Sequence, residues 1–181
     1  DSHAALRRVH GFGKAEPLYQ RAIALLEKVD PPETRGLAFA IGGLADCYVS
    51  QKQYAAAEPL YRRGIALLES QEKTNLRELG AMTGNLGSIL SAQGRHADAR
   101  PLYAHSIDTL TKAYGPNHAV VARLYHEQAG MYEKLDQLPL AQVGYEKALA
   151  IREQLPASVD PLALGETLHH LGQVYAAQKK M

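Results

Sequence analysis

AEPLYQRAIALLE begins at Ala15, AEPLYRRGIALLE at Ala57, ARPLYAHSIDTL at Ala99 and AQVGYEKALAI at Ala141. The four strings start 42 residues apart, and self-similarity at a fixed period of this length marks a stacked repeat array. Within the second copy Ala57, Leu60, Tyr61, Gly64, Ile65 and Leu68 recur at three- and four-residue steps, which predicts a helix that buries one face. Upstream, LAFAIGGLADCYVSQ carries a second stripe of Ile41, Leu44, Ala45 and Tyr48. The two helices form a hairpin. Its turn falls near Lys52 and Gln53, matched one period later by Gly94 and Arg95, where glycine suits a left-handed helix terminus.

Each hairpin thus has a first helix, A, with the spacing large, large, small, aromatic, and a second, B, with small, aromatic, small. The helix B triplet is Ala15, Tyr19, Ala22; then Ala57, Tyr61, Gly64; then Ala99, Tyr103, Ser106; then Ala141, Tyr145, Ala148. The helix A quartet is Ile41, Leu44, Ala45, Tyr48, followed by Thr83, Leu86, Gly87, Leu90, by Tyr125, Gln128, Ala129, Tyr132, and by Leu168, Leu171, Gly172, Tyr175. These residues resemble the tetratricopeptide repeat, with Thr83 and Gln128 as departures. The last quartet is offset by 43, which places a one-residue insertion between Leu155 and Asp160.

The resemblance implies an all-α, right-handed solenoid of stacked helix hairpins over residues 1–181: a partial repeat at 1–30, repeats at 35–71, 76–114 and 117–155, and a final helix A at 160–179. The usual period of the family is about 34 residues, so each hairpin here carries about eight more. The longer form resembles the kinesin light chain subgroup, most visibly in YGPNHAVVARLYHEQAGMY from Tyr114 to Tyr132. Residues before Val9 supply only half of a helix A, and the last helix A lacks its B. Either the array continues in a longer parent chain, the favoured reading, or the final helix, with Lys179 and Lys180 at its end, serves as the polar cap of the solenoid; an exposed apolar end implies end-to-end homodimerisation.

Helix punctuation agrees with these bounds. Asn75 and Glu78 have capping-box spacing, Asn117 is placed to cap the next helix A, and Asp160 precedes a first-turn Pro161. Pro17, Pro59 and Pro101 fall near the start of helix B.

Composition narrows the function classes. Twenty Lys and Arg face nineteen Asp and Glu, so the net charge of +1 provides no bulk attraction to nucleic acid or to an anionic membrane. No apolar run reaches the length that spans a bilayer. A single cysteine, Cys47, rules out an internal disulfide and fits a cytoplasmic location; its place beside core positions makes it a packed small residue. No nucleophile, cofactor loop or metal motif assembles: His126-Glu127-Gln128-Ala129-Gly130 ends in Gly where a zinc protease needs His, and Gly11-Phe12-Gly13-Lys14 lacks phosphate-loop spacing. The chain reads as non-enzymatic, without cofactor or metal.

The resemblance places helix A along the inner surface, where an extended peptide or a partner protein would bind. The inward positions it implies are Phe39, Gly42, Gly43 and Asp46; Ala81, Gly84, Asn85 and Ser88; Arg123, His126, Glu127 and Gly130; and Glu166, His169, His170 and Gln173, with Arg7, Arg8 and Lys134 further along. The small residues in the middle suggest that a ligand backbone comes close there. Asn85 occupies a position at which the family bonds a peptide backbone. His126 and His169 hold equivalent places in neighbouring helices and are expected to approach each other. The carboxylate clamp of chaperone-binding members is matched only by Asn85 and Arg123, while Gly42, Asp46 and Glu127 occupy its other places, so a chaperone tail is not the expected ligand. Kinesin light chains bind acidic peptides bearing a tryptophan, and Arg123, Asn85 and Lys134 offer an analogous anion-friendly groove. A regulatory or self-association module of a larger protein is the alternative reading.

Overall fold

A computed structural model describes residues 2–29, 34–71, 74–156 and 160–179, with side chains from residue 14 onward. Eight helices and no strand run through the described residues: α1 (Ser2–Leu26), α2 (Thr34–Ser50), α3 (Tyr54–Glu69), α4 (Leu76–Ala92), α5 (His96–Tyr114), α6 (Ala119–Lys134), α7 (Leu138–Gln154) and α8 (Pro161–Gln178). The fold is the all-α right-handed solenoid that the repeat implies. Helices α2, α4, α6 and α8 are the A helices, and α3, α5 and α7 the B helices. Each packs chiefly on its chain neighbours, with consecutive A helices also touching.

The half helix A before Val9 and the helix B from Ala15 run together as one continuous helix, α1. The side chains of Arg7 and Arg8, much of the insertion between Leu155 and Asp160, and Lys180 lie outside the described residues.

The A-to-B turns are built alike. Lys52, Gly94 and Asp136 stand one period apart with φ of 59°, 79° and 57°. After each, the next amide returns to the carbonyl five residues back: Gln53 to Tyr48, Arg95 to Leu90 and Gln137 to Tyr132, all at 2.9 Å. These are Schellman terminations. Lys52 and Asp136 adopt without glycine a conformation that costs about 1 kcal/mol or more, so the hairpin geometry imposes it.

Caps follow the sequence in two of three cases. The Asn75 side chain accepts from the Glu78 amide, and that of Asp160 accepts from the Ala163 amide at 3.0 Å. At α6 the cap is His118, whose Nδ1 accepts from the Val120 amide at 3.2 Å. Asn117 lies one residue too early to cap, and its amide donates to Gln154 Oε1 at 2.7 Å. Pro59 and Pro101 sit one turn inside their helices, not at the start, because α3 and α5 begin at Tyr54 and His96. Both are exposed, and the carbonyls they leave without an intrahelical donor, on Ala55 and Ala97, belong to exposed residues that water can reach.

The core is the periodic set itself. Tyr61, Tyr103 and Tyr145 are at most 2% exposed, each lodged between consecutive A helices. Leu68 and Leu110 are fully buried, and Cys47 is packed and unpaired. The buried Thr83, a departure from the usual large residue, satisfies its hydroxyl on the Leu79 carbonyl at 2.7 Å.

Two glycines test this packing with opposite signs. A Cβ on Gly144 would stand 2.9 Å from Ala129 Cβ and 3.2 Å from the Tyr125 carbonyl oxygen, whereas one on Gly172 meets nothing within 4 Å. Gly144→Ala is expected to destabilise the chain by about 1 to 3 kcal/mol through overpacking, and Gly172→Ala to stabilise it by about 0.5 to 1 kcal/mol through helix propensity. Urea denaturation of the two variants checks both signs.

Candidate functional site

The inner faces of α2, α4, α6 and α8 line a concave surface with three successive cavities. The first, of 290 Å³, lies between α2 and α4 and is bordered by Phe39, Asp46, Glu78 and Asn85. The second, of 600 Å³, lies between α4 and α6 and is lined by Ser88, His126, Glu127, Glu133, Lys134 and His170, among others. The third, of 520 Å³, opens between α6 and α8 beside Arg123, His126, Glu127, Arg152 and Glu166.

The tyrosine column decides what faces the groove. Each ring is buried by the hairpins, while its hydroxyl emerges on the concave side. The Tyr61 hydroxyl donates to Asp46 Oδ1, and Asn85 Nδ2 donates to the same oxygen at 3.3 Å. Burial pushes the Asp46 carboxyl up, and the bonds from Tyr61 and Asn85 only partly oppose this. The Tyr103 hydroxyl reaches Ser88 Oγ at 3.4 Å, and burial raises the phenol to about 12. In the next copy the corresponding A-helix residue is Gly130, and the Tyr145 hydroxyl passes it to donate to Glu133 Oε2 at 2.7 Å.

The structure brings most of the predicted inward residues onto this face but pairs them with one another. Arg123 Nη1 donates to Glu127 Oε1 at 2.5 Å, and Ser88 Oγ donates to Glu127 Oε2 at 2.6 Å. The positive anchor expected at Arg123 is thus largely neutralised by its own helix. His126 has as its ring neighbour His170, not His169, with centroids 5.4 Å apart, because one residue on α8 rotates a side chain about 100°. His170 stacks on Tyr145 at 5.5 Å and 14°. Its Nδ1 lies 3.3 Å from Glu133 Oε2 without the geometry of a hydrogen bond, and that oxygen already accepts from Tyr145. His169 is exposed beside it, and Lys134 is exposed at the end of α6. Phe39 is 42% exposed.

The small residues do not leave an open channel. Gly42 is filled by the Met82 methyl, Gly43 by the Tyr19 ring, and Gly84 by Ser106 and Leu124. They serve the approach of neighbouring side chains, because helix A packs on both its own layer and the next.

Reading the columns of the repeat reveals a residue that the inward-position rule missed. Leu26, Leu68, Leu110 and Arg152 share one register, so the last copy carries arginine where its predecessors carry leucine, fully buried at 68 and 110. Arg152 Nη1 donates to the Ala163 carbonyl at 2.6 Å and to Thr167 Oγ1, and His126 Nδ1 lies 3.1 Å from that same hydroxyl. Thr167 in turn stands in the column of Met82 and Leu124. The interface between α6, α7 and α8 is thereby polar where the earlier ones are apolar. Burial lowers the affinity of Arg152 for its proton, while the carboxylates of Asp160, Glu166 and Glu127 act the other way. Among the described residues no group of three or more His, Cys, Asp and Glu side chains could hold a metal ion. No described helix is long and apolar enough to cross a membrane.

Burial, then the charges of Arg152 and His170, push the His126 imidazole below its ordinary value. The unfolded chain therefore takes up this proton first as pH falls below about 6.5, and the neutral histidine's contribution to stability declines from there downward. His126→Gln is expected to lose less stability than the parent between about pH 7 and about pH 5.5. Urea midpoints at the two pH values check it.

The tetratricopeptide repeat family model matches residues 3–70 and 78–154. The structure superposes on that of BtubC (BKLC) from P. vanneervenii with a TM-score of 0.86 at 26% identity, covering 96% of this chain and 68% of that one. A putative kinesin light chain from P. anserina with nearly identical TPR-like repeats gives a TM-score of 0.75 at 18% identity over 98% of this chain and 85% of that one. A variant of it gives 0.77 at 20% identity over 98% and 84%. The last two likenesses concern the fold alone. No curated protein sequence matches the chain. With most of its length matched by the family and its helices arranged as in kinesin light chain-like arrays, the chain belongs to the tetratricopeptide repeat family.

Proposed function

We propose that the chain is a non-catalytic scaffold whose concave A-helix face binds an extended peptide or a peptide-like segment of a partner protein. Tetratricopeptide repeats mediate protein–protein interaction, and the observation that carries the finer reading is the line of three cavities along α2, α4, α6 and α8. A preformed groove on rigid helices lowers the ordering cost of capturing a flexible chain, so a few anchors suffice for modest affinity. The anchors are Phe39, Asp46 and Asn85 in the first cavity, Lys134 and His170 in the second, Arg123 in the third, His126 and Glu127 between the second and third, and the exposed His169 beyond. Asn85 uses its amide nitrogen on Asp46 and Tyr61, which leaves its carbonyl oxygen to accept from a ligand's backbone amide.

A second reading, self-association, is favoured by one observation. On α8, Leu162, Leu168 and Tyr175 are 72%, 50% and 42% exposed, and Gly165 and Gly172 have open space beside them where the equivalent Gly80 and Gly87 of α4 are covered by α5.

Peptide display on the chain, with Asn85→Ala and Arg123→Ala as comparisons, tests the first reading. Enriched peptides should bind each variant about tenfold more weakly. Absence of enrichment, or unchanged affinity in both variants, would overturn it. Sedimentation over a range of concentrations tests the second: a mass that grows with concentration and reverts to monomer in Leu168→Glu supports it, and a constant monomer rejects it.

A further inference from the structure

The first cavity differs from the other two in its charge. Further along the groove Glu127 is partnered by Arg123 and Ser88 and Glu133 by Tyr145, and the second and third cavities carry bases of their own, Lys134 in the one and Arg123 and Arg152 beside Glu166 in the other, whereas no base among the described residues lines the first. Asp46 and Glu78, which reach the first cavity from different helices, form no ion pair among the described residues. Tyr61 and Asn85 both donate to Asp46 Oδ1, which fixes the carboxylate and leaves Oδ2 without a bond.

Glu78 is also set for something other than capping. It occupies the third position of α4, from which a capping box would send its carboxylate back to the Asn75 amide. Only the Asn75 half of that exchange forms, and Glu78 Oε1 turns toward α2, 3.5 Å from where a Cβ on Gly42 would stand. Neither acid is demanded by the repeat. The register partners of Asp46 are Ser88, Gly130 and Gln173, and those of Glu78 are Gly36, Val120 and Ala163.

The cavity's remaining walls are aromatic and apolar. Tyr19, Tyr61 and Met82 line it, and Phe39 stands exposed at its rim. The Arg35 guanidinium lies 5.9 Å from the Phe39 ring centroid and forms an ion pair with neither Asp46 nor Glu78. Burial raises both acids, and the Asp46 charge raises Glu78 further, as expected of carboxylates with no counter-charge among the described residues. The volume of 290 Å³ corresponds to about ten waters, room for one long side chain.

We propose that this cavity is the subsite for a basic side chain, arginine or lysine, of the peptide bound in the groove, its charged head between Asp46 Oδ2 and Glu78 and its aliphatic stem against Phe39 and Met82. The cation supplies a counter-charge that no described residue gives these two partly desolvated carboxylates, and an aromatic rim suits a guanidinium or an alkyl-ammonium equally. This deepens the peptide-binding reading and rests on it. It also makes the groove selective for basic segments, opposite to the acidic-peptide preference that Arg123 suggested in the sequence.

The test uses two uncharged-backbone probes, Nα-acetyl-arginine methylamide and its citrulline counterpart, which has nearly the same shape without the charge. In heteronuclear NMR of the whole chain the arginine probe should shift Gly42, Gly43 and Asn85 saturably, with the citrulline probe at least about tenfold weaker. Glu78→Gln and Asp46→Asn should each weaken the arginine probe several-fold, with the difference shrinking in high salt. Equal response to the two probes, shifts confined elsewhere, or no change in either variant overturns the subsite. Peptides recovered by display separate the two levels of the idea. If they bind in an Asn85-dependent way but tolerate citrulline or alanine at every basic position, the subsite fails and the peptide groove stands. If no peptide is recovered while the arginine probe still binds and depends on both acids, the cation site stands and the peptide groove fails.

Discussion

One constraint organises this molecule: a tyrosine on each B helix must pass between two consecutive A helices. Its ring fills the space that holds adjacent hairpins together, and burying it contributes a large apolar area. The phenol hydroxyl cannot remain in that apolar layer without a partner. It therefore emerges on the concave face, where it meets Asp46, Ser88 or Glu133 according to the copy. The same side chain thus sets the stacking distance and decides which polar groups line the groove. Small residues at Ala45, Gly87 and Ala129 make room for it, so the helix A quartet and the helix B triplet are two halves of one packing rule.

The parts of the structure that obey that rule were legible in the sequence. The period placed α2 to α8, the tyrosine and small-residue columns named the core, and the turn register located the turns at Lys52 and Gly94, to which the structure adds Asp136 one period on. What the register could not supply was the identity of each side chain's partner in the next layer. Arg123 and Glu127 were both read as inward-facing, but that they neutralise each other depends on their i, i+4 spacing and on a serine from α4. Gly42 and Gly84 looked like openings because a missing side chain says nothing about which neighbour enters the space. Asn117 and His118 compete for one cap, and a one-residue difference in helix start decides between them. The inward positions themselves came from the family resemblance, and the geometry places most of them on the concave face without testing what they bind.

The conversion of the last interface was in the sequence too, though it is visible only down the columns. A leucine becomes Arg152, a methionine or leucine becomes Thr167, and a glycine becomes His126, all at one junction. Any one of these alone would leave a polar group stranded in an apolar seam, at a cost of about 1 to 3 kcal/mol. Together they satisfy one another through the Thr167 hydroxyl and the Ala163 carbonyl. A junction of this kind depends on hydrogen-bond direction as well as volume, so it tolerates fewer alternative packings than the leucine seams before it.

The polar ties across the concave face have a mechanical meaning. Asn85 with Asp46, Ser88 with Glu127 and His126 with Thr167 each link one A helix to the next on the inner circumference of the coil. A superhelix that straightens must lengthen its inner circumference more than its outer one, so these rungs act as springs set against uncoiling. On the proposed peptide-binding reading, a ligand in the groove would have to displace or bridge these rungs, which would couple its binding to the pitch of the coil without any hinge in the chain.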